Sequence, residues 1–248
     1  MFVAASTRCF ADRPFDEACR LLTDLEYDKV EIWMQESSDH LKPSEVAADP
    51  DAFLANYREN TRLTPVAFCF EDDEIPTKTF SEITKLAKLM KITQITVPAS
   101  PLGNPFNAEI DRLKELLEIA THDGVRISLK TRTGRLTEDP HTAVELCQAV
   151  KGLGLTLDPS HYICGPHRGG SYDQVFPYVF HVHLRDTTPQ QLQVQVGLGE
   201  IDYSRLITHL QREDYNRILS VDFYPEMMEA ESRPLEMRKL RMLLETLL

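Results

Sequence analysis

The sequence predicts an α/β protein of the (β/α)8 barrel class, with residues 1–248 in a single domain. Apolar, β-leaning runs recur about every 30 residues, and an amphipathic helical pattern follows each of them. Near-continuous apolar strands that alternate with helices are typical of a parallel sheet covered by those helices. Eight such units in 248 residues is the number that closes a barrel.

The eight predicted strands are apolar runs, each separated from the next by a helical pattern. They are Phe2–Thr7, Lys29–Met34, Pro65–Phe70, Gln94–Pro98, Val125–Lys130, Leu153–Asp158, Tyr178–Leu184 and Arg217–Phe223. The predicted helices cover about Phe15–Leu22, Pro50–Thr61, Lys78–Met90, Ala108–Thr121, Pro140–Val150 and Tyr203–Gln211, with a terminal helix from about Pro234. A loop is predicted through residues 40–43, and a Gly-rich loop with a short helix near Tyr172 after the sixth strand.

An open, doubly wound sheet is the alternative arrangement of the same units. Polar groups stand at the carboxyl ends of strands five to eight, and an open sheet does not explain that placement. In a barrel those ends converge on one mouth, so the barrel is the favoured prediction.

The composition excludes several classes of function. The formal net charge is −12 with no stripe of lysine or arginine, so no nucleic-acid partner is predicted. No run of about 18 apolar residues occurs, which predicts no membrane span. The five scattered cysteines form no CxxC pair and the start lacks the pattern of a signal peptide, so a cytoplasmic protein with reduced thiols is expected. The expected partner is a small molecule. The sequence does not predict the oligomeric state, and a homo-oligomer is one of the alternatives.

Four polar residues stand at or near the carboxyl ends of strands five to eight and form the predicted catalytic site. They are Lys130, Asp158, His183 and Asp222. Two carboxylates and an imidazole are typical of a divalent-metal site, whereas a lysine cannot be a ligand while it carries its proton. Whether this protein uses a metal therefore depends on Lys130.

Two short segments around these residues add further candidates. In Asp158–His161 the histidine can share the pocket of the aspartate, and a capping aspartate beside a surface histidine is the alternative. Alternation along the seventh strand sends His181 and His183 to the same side, one at the mouth and one a layer deeper. A core histidine is the alternative there. Three polar residues on loops are predicted to be exposed without a role: His40, His167 and Arg168.

Three segments in order carry a family resemblance: Leu155–His161, then His181–Asp186, then Gly197–Tyr203. Together with Val30–Trp33 on the second strand, they resemble the xylose isomerase-like TIM-barrel superfamily. That superfamily holds sugar-phosphate isomerases and epimerases, inosose dehydratases and abasic-site endonucleases. The ordered set is specific for the superfamily and says little about the substrate.

The resemblance implies a divalent metal (Mn, Zn, Co or Mg) at the mouth of the barrel. Family members hold it with a glutamate, an aspartate, a histidine and a glutamate on strands five to eight. By position, the metal ligands would be Asp158, His183 and Asp222, while Lys130 takes the place of the first glutamate. Three further residues are predicted to contact substrate: His161, Arg185 and Trp33.

Lys130 disfavours that metal, because its ammonium group would repel the ion. Around a divalent ion, the three family acids and a neutral histidine sum to a charge of −1. Lys130, Asp158, Asp222 and a neutral His183 reach the same sum with no metal. We therefore expect Lys130 to pair with both aspartates. Asp158, His183 and Asp222 would bind a metal only if the protein has kept its metal despite Lys130. A Schiff-base role is less expected, since nearby carboxylates raise the pKa of a lysine.

The predicted function is that of a sugar or sugar-phosphate isomerase or epimerase, which moves a proton next to a carbonyl. The alternative is a non-catalytic or repurposed barrel that binds a carbohydrate-like molecule, favoured by the loss of the strand-five acid. An abasic-site endonuclease is rejected. The ends of strands three and four, Phe68–Phe70 and Val97–Ser100, lack histidine, and the net charge is unfavourable.

Overall fold

Eight parallel strands form a closed barrel in the computed structural model, which describes residues 1–248. The strands are β1 (Phe2–Ser6), β2 (Lys29–Met34), β3 (Thr64–Phe70), β4 (Gln94–Pro98), β5 (Arg126–Lys130), β6 (Gly154–Leu157), β7 (Val179–Leu184) and β8 (Ile218–Val221). Each strand pairs with its neighbours in sequence, and β1 pairs with β8 to close the ring. The predicted (β/α)8 barrel is confirmed.

Nine α-helices lie between the strands or, in the case of the last one, after β8. They are α1 (Phe15–Asp24), α2 (Pro43–Ala48), α3 (Pro50–Asn60), α4 (Thr77–Leu89), α5 (Phe106–His122), α6 (Pro140–Ala149), α7 (Pro159–Cys164), α8 (Tyr203–Arg212) and α9 (Arg233–Leu247). Asp139 and Asp202 cap α6 and α8 by accepting hydrogen bonds from backbone N–H groups of the first turn. None of the helices has both the length and the apolar character needed to cross a membrane.

Two helical segments differ from the prediction. The loop predicted through residues 40–43 ends at α2, because Pro43 suits the first position of a helix. After β6 the chain forms α7 at the start of the predicted Gly-rich loop, and the short helix near Tyr172 is a 3-10 helix over Asp173–Tyr178. Strand β6 ends at Leu157, since Asp158 serves as the N-cap of α7.

The interior of the barrel is polar, whereas a single apolar cluster of 57 buried residues makes up the main core of the protein. Thr96 on β4 and Thr156 on β6 form a hydrogen bond of 2.8 Å, although these strands are not neighbours. Ser128 on β5 binds the same Thr156 hydroxyl at 2.6 Å. Because buried polar groups must be hydrogen-bonded, these contacts tie β4, β5 and β6 together through their side chains inside the barrel.

Gly154 on β6 has no room for a side chain. A Cβ atom there would lie 2.2 Å from Cγ of Phe180. We predict that Gly154→Ala lowers the free energy of unfolding by about 1–3 kcal/mol, because overpacking forces the ring or the strand to shift. Urea unfolding measures the change. In a Phe180→Ala background the same substitution should be tolerated, and an equal loss in both backgrounds would contradict the steric explanation.

Candidate functional site

Asp222 lies at the centre of an ion-pair network at the carboxyl-terminal end of the barrel. Its Oδ2 accepts hydrogen bonds from Lys130 Nζ at 2.8 Å and from Arg185 Nη2 at 2.9 Å. Nδ1 of His183 lies 3.2 Å from the same oxygen. The backbone carbonyl of Asp222 also accepts a hydrogen bond from Arg185 Nε at 2.8 Å. Three groups from β5, β7 and the segment after β7 therefore converge on one carboxylate.

Arg185 joins the two aspartates of the site. Its Nη2 lies 2.9 Å from Oδ2 of Asp158 and 2.9 Å from Oδ2 of Asp222. Oδ1 of Asp158 is held by the hydroxyl and the backbone N–H of Ser160. The expected pairing of Lys130 with Asp222 is found, but its expected pairing with Asp158 is wrong, because the longer Arg185 side chain takes that position.

The network is enclosed, and its charges stabilise one another. Lys130 is 3% exposed and the other members are fully buried. Burial opposes ionisation of Asp222, yet Lys130, His183 and Arg185 hold its pKa well below the usual value. Burial by itself would lower the pKa of Lys130, but the attraction of Asp222 raises it above its ordinary value. A lysine that stays protonated at neutral pH is not suited to form a Schiff base.

Glu31 on β2 holds both histidines of β7, as the alternation of that strand allows. Its Oε2 binds Nε2 of His181 and lies 2.9 Å from Nε2 of His183. Burial would raise the pKa of Glu31, but the two imidazoles lower it. Burial lowers the pKa of His181, whereas attraction to Glu31 and Asp222 outweighs burial and raises that of His183. Of the two imidazoles, the site therefore favours the protonated form of His183, which lies nearer the mouth.

Glu71, the residue directly after β3, organises a second group of charges. It binds Arg8 Nη1 at 2.8 Å, a guanidinium nitrogen of Arg132, and Trp33 Nε1 at 3.3 Å. Burial would raise its pKa, but Arg8 and the other cations hold the pKa of Glu71 at about 2. Trp33, a predicted substrate contact, is thus 3% exposed and hydrogen-bonded to an acid.

Tyr224 packs between two arginines above the network. Cζ of Arg185 lies 3.6 Å and Cζ of Arg8 lies 3.9 Å from the centre of its ring. Lys130 Nζ lies 5.5 Å from the same point. Cations over an aromatic face are attracted by its electrons. Tyr224 therefore covers Lys130 and Arg185 and stabilises the positions of both arginines.

His161 lies beside Tyr224 and is neutral. Burial lowers its pKa to about 3. The backbone N–H of Thr133 donates to Nδ1 at 3.3 Å, so the ring proton is on Nε2, which lies 3.2 Å from the Tyr224 hydroxyl. Its distance to Asp158 Oδ2 is 3.7 Å. The aspartate and histidine of Asp158–His161 do share one pocket.

A cavity of about 460 Å³ opens at the mouth, next to these charges. Its lining includes Arg8, Trp33, Gln35, Ser38 and Glu226, all on segments at the ends of β1, β2 and β8. Among the three predicted substrate contacts, only Trp33 lines this cavity. Arg185 and His161 lie against Tyr224 instead, and their contact with substrate stays a prediction.

Several members of the site were not predicted from the sequence. They are Arg8, Glu31, Glu71, Arg132 and Tyr224. Most of them are polar residues one or two positions beyond an apolar strand. That position in the sequence could have identified them as candidates for the site. His40 is also buried, against the prediction, because its ring binds Thr7 Oγ1 and the carbonyl of Arg13. His167 and Arg168 are exposed, as predicted.

The family of the chain follows from a comparison over most of its length. A model of the family described as xylose isomerase-like TIM barrel matches residues 19–245. The chain belongs to this family. A search of curated proteins found no match.

Several solved structures share the whole fold at low sequence identity. A xylose isomerase domain protein from Alicyclobacillus acidocaldarius subsp. acidocaldarius is 15% identical, with a TM-score of 0.76 over 100% of this chain and 98% of that one. A D-psicose 3-epimerase, crystallised in the presence of D-fructose, is 10% identical, with a TM-score of 0.76 over 100% and 99%. A xylose isomerase-like TIM barrel protein from Mycobacterium smegmatis, in complex with magnesium, is 18% identical, with a TM-score of 0.69 over 98% and 97%. At these identities the likeness establishes the fold alone.

Lys130→Met tests the energetic weight of the network. We predict that it lowers the free energy of unfolding by about 3–5 kcal/mol, because Asp222 stays buried with one cation fewer. Chemical denaturation measures the loss. Lys85→Met is the matched control, since Lys85 pairs with Glu82 on an exposed helical face and should contribute less than about 1 kcal/mol. If the free energy of unfolding decreased by a similar amount in the two variants, the buried Lys130–Asp222 pair would contribute no more to stability than an exposed one.

Proposed function

We propose that this protein is an isomerase or epimerase of a carbohydrate-like substrate that works without a divalent ion between Asp158 and Asp222. The observation that carries the proposal is Arg185 Nη2, which lies 2.9 Å from a carboxylate oxygen of each aspartate. A divalent ion at this point would face the guanidinium of Arg185 and the ammonium of Lys130, and such repulsion is strong at short distance in a buried site. Asp158, His183 and Asp222 therefore do not fit the ion that the family implies.

Family membership supports the class of reaction. The chain has the xylose isomerase-like fold, and its structural neighbours include a D-psicose 3-epimerase crystallised in the presence of D-fructose. Reactions of this class remove a proton from a carbon next to a carbonyl. An epimerase returns a proton to the opposite face of the same carbon, and an isomerase returns one to the former carbonyl carbon. Such chemistry needs acid–base groups and positive charge at one place, and the mouth of this barrel holds both.

Lys130 and Arg185 supply the positive charge in the proposed reaction. Removal of the proton builds negative charge on the carbonyl oxygen, and cations that are already in place stabilise it. Attraction to the aspartates outweighs burial and raises the pKa of both groups, so they remain charged at neutral pH. They therefore take the electrostatic role in the proposed site.

Asp158 and Asp222 are the proposed proton carriers. In the free protein both are ionised, because the cations outweigh the effect of burial and lower the pKa of each carboxyl. A carboxylate in an ion pair is a weak base. When a substrate oxygen takes over Lys130 and Arg185, the carboxylates lose these partners and become more basic. Substrate binding and activation of the base are thereby linked.

The proposed route to these groups runs through the cavity beside Trp33 and Arg8. Tyr224 lies over Arg185 and Lys130, so the substrate reaches the aspartates after this ring moves aside. The neutral imidazole of His161, with its proton on Nε2, then has a donor for a substrate hydroxyl in place of the Tyr224 hydroxyl.

A non-catalytic barrel that binds a carbohydrate-like molecule is the second candidate. The observation that favours it is that Glu31, Glu71, Asp158 and Asp222 are all buried and all paired with cationic or imidazole groups. Acids that keep their cationic partners after ligand binding would stay weak bases and would not take a proton from carbon. The two candidates therefore differ in what happens to the C–H bond.

Ligand binding followed by hydrogen exchange separates the two functions. We predict that a ketose, an aldose or one of their phosphates raises the melting temperature, and that in D2O the bound sugar gains deuterium next to its carbonyl. Asp158→Asn should slow this exchange by about 10²–10⁴-fold, the range expected for a lost acid–base group. Mass spectrometry and NMR of the recovered sugar measure it.

Asp139→Asn is the matched control, because Asp139 caps α6 and has no contact with the network. It should exchange at the rate of the unaltered protein. A sugar that raises the melting temperature but gains no deuterium would support the non-catalytic binding barrel and contradict the isomerase.

A further inference from the structure

A second set of ligand-type side chains lies beside the ion pairs of Asp222. Glu31, Cys69 and His183, from β2, β3 and β7, each offer an atom within 4.8 Å of those of the other two. All three residues are fully buried. Oε1 of Glu31 has no hydrogen-bond partner, which is costly for a buried carboxylate oxygen. The Cys69 thiol has only a weak contact of 3.9 Å with the carbonyl of Phe70.

We propose that Glu31, Cys69 and His183 form a binding site for a divalent ion of the zinc type. A sulfur, an imidazole nitrogen and a carboxylate oxygen are the three ligand types that zinc uses in proteins. At zinc bond lengths, tetrahedral ligands lie about 3.3–3.7 Å apart, so small rotations of these side chains bring their atoms into place. A thiolate ligand selects against magnesium, which prefers oxygen.

Charge balance also supports the site. Burial and the charge of Glu31 raise the pKa of Cys69, so its thiol would release its proton to solvent only when an ion binds. The resulting thiolate and the carboxylate of Glu31 would then carry two negative charges, which match one divalent ion. Lys130 and Arg185 have their counter-charges in Asp222 and Asp158, so they need no acid from this set. His181 binds Oε2 of Glu31 and orients the carboxylate, which leaves Oε1, the oxygen without a hydrogen-bond partner, for the ion.

This site is distinct from the one that the family resemblance implies. The two sets share His183 alone, and the ion proposed here would not lie between Asp158 and Asp222. The inference does not rest on the proposed function, since an ion held by Glu31 and Cys69 leaves Arg185 in its place. Its role would be to hold β2, β3 and β7 together inside the barrel.

Cobalt(II) is the probe, because it reports a thiolate ligand by colour. The full chain, refolded with a chelator and then freed of it, should bind one equivalent of cobalt with a thiolate charge-transfer band and the visible bands of four-coordinate cobalt. Zinc should displace the cobalt. Cys69→Ser and Cys69→Ala should lose the charge-transfer band, while Cys147→Ser should keep it, since Cys147 is a buried thiol on α6. Circular dichroism checks that each variant folds.

Asp158→Asn distinguishes the two sites. If the ion lies at Glu31, Cys69 and His183, this variant keeps both its zinc and the cobalt spectrum. Zinc that is lost with Asp158→Asn and kept with Cys69→Ser would overturn this inference and the metal-free proposal together. No cobalt binding at all would overturn the inference and leave the proposed function intact. Cobalt bound by the unaltered chain without a thiolate band would overturn the inference, and loss of that cobalt in Asp158→Asn would overturn the metal-free proposal as well.

Discussion

The buried ion pair between Asp222 and Arg185 is the interaction on which the rest of the site depends. Both side chains are fully enclosed, and a buried charge without a partner is strongly unfavourable. Each member of the pair has a further partner of opposite charge. Lys130 is a second cation beside Asp222, and Asp158 is a second carboxylate beside Arg185. The side chains at the mouth are therefore arranged so that the charges of Asp222 and Arg185 stay balanced although water cannot reach them.

The fold and the position of the site could be predicted from the sequence, but the partners within the site could not. Apolar runs of regular spacing identify parallel strands, and strand ends in a barrel meet, so Lys130 and Asp222 were expected to be close. The alternation of side chains along a strand predicts on which side of the strand a residue lies. It does not predict how far a long side chain extends. Arg185 reaches both aspartates for that reason, and Glu71 was missed because it lies one position past its strand.

The polar interior of the barrel explains how the site tolerates so many charges. Hydroxyl groups of Thr96, Ser128 and Thr156 bind one another across the lower interior, and Glu31 with two imidazoles lies at the level above. The charged groups below Tyr224 thus rest on hydroxyls that are themselves hydrogen-bonded, so the positions of these charges are fixed before any ligand enters. Catalysis and specific binding both benefit from charges that need no rearrangement. This property is common to the two candidate functions.

The position of Tyr224 between Arg8 and Arg185 has a mechanical consequence. These arginines follow β1 and β7, which share no backbone hydrogen bonds because β8 lies between them. The stack of guanidinium, phenol and guanidinium therefore connects the two strands by side chains alone. When the ring moves, both arginines lose the same packing partner in one step. A ligand that displaces Tyr224 would thus change Glu71 and Asp222 together, although these acids belong to different parts of the mouth.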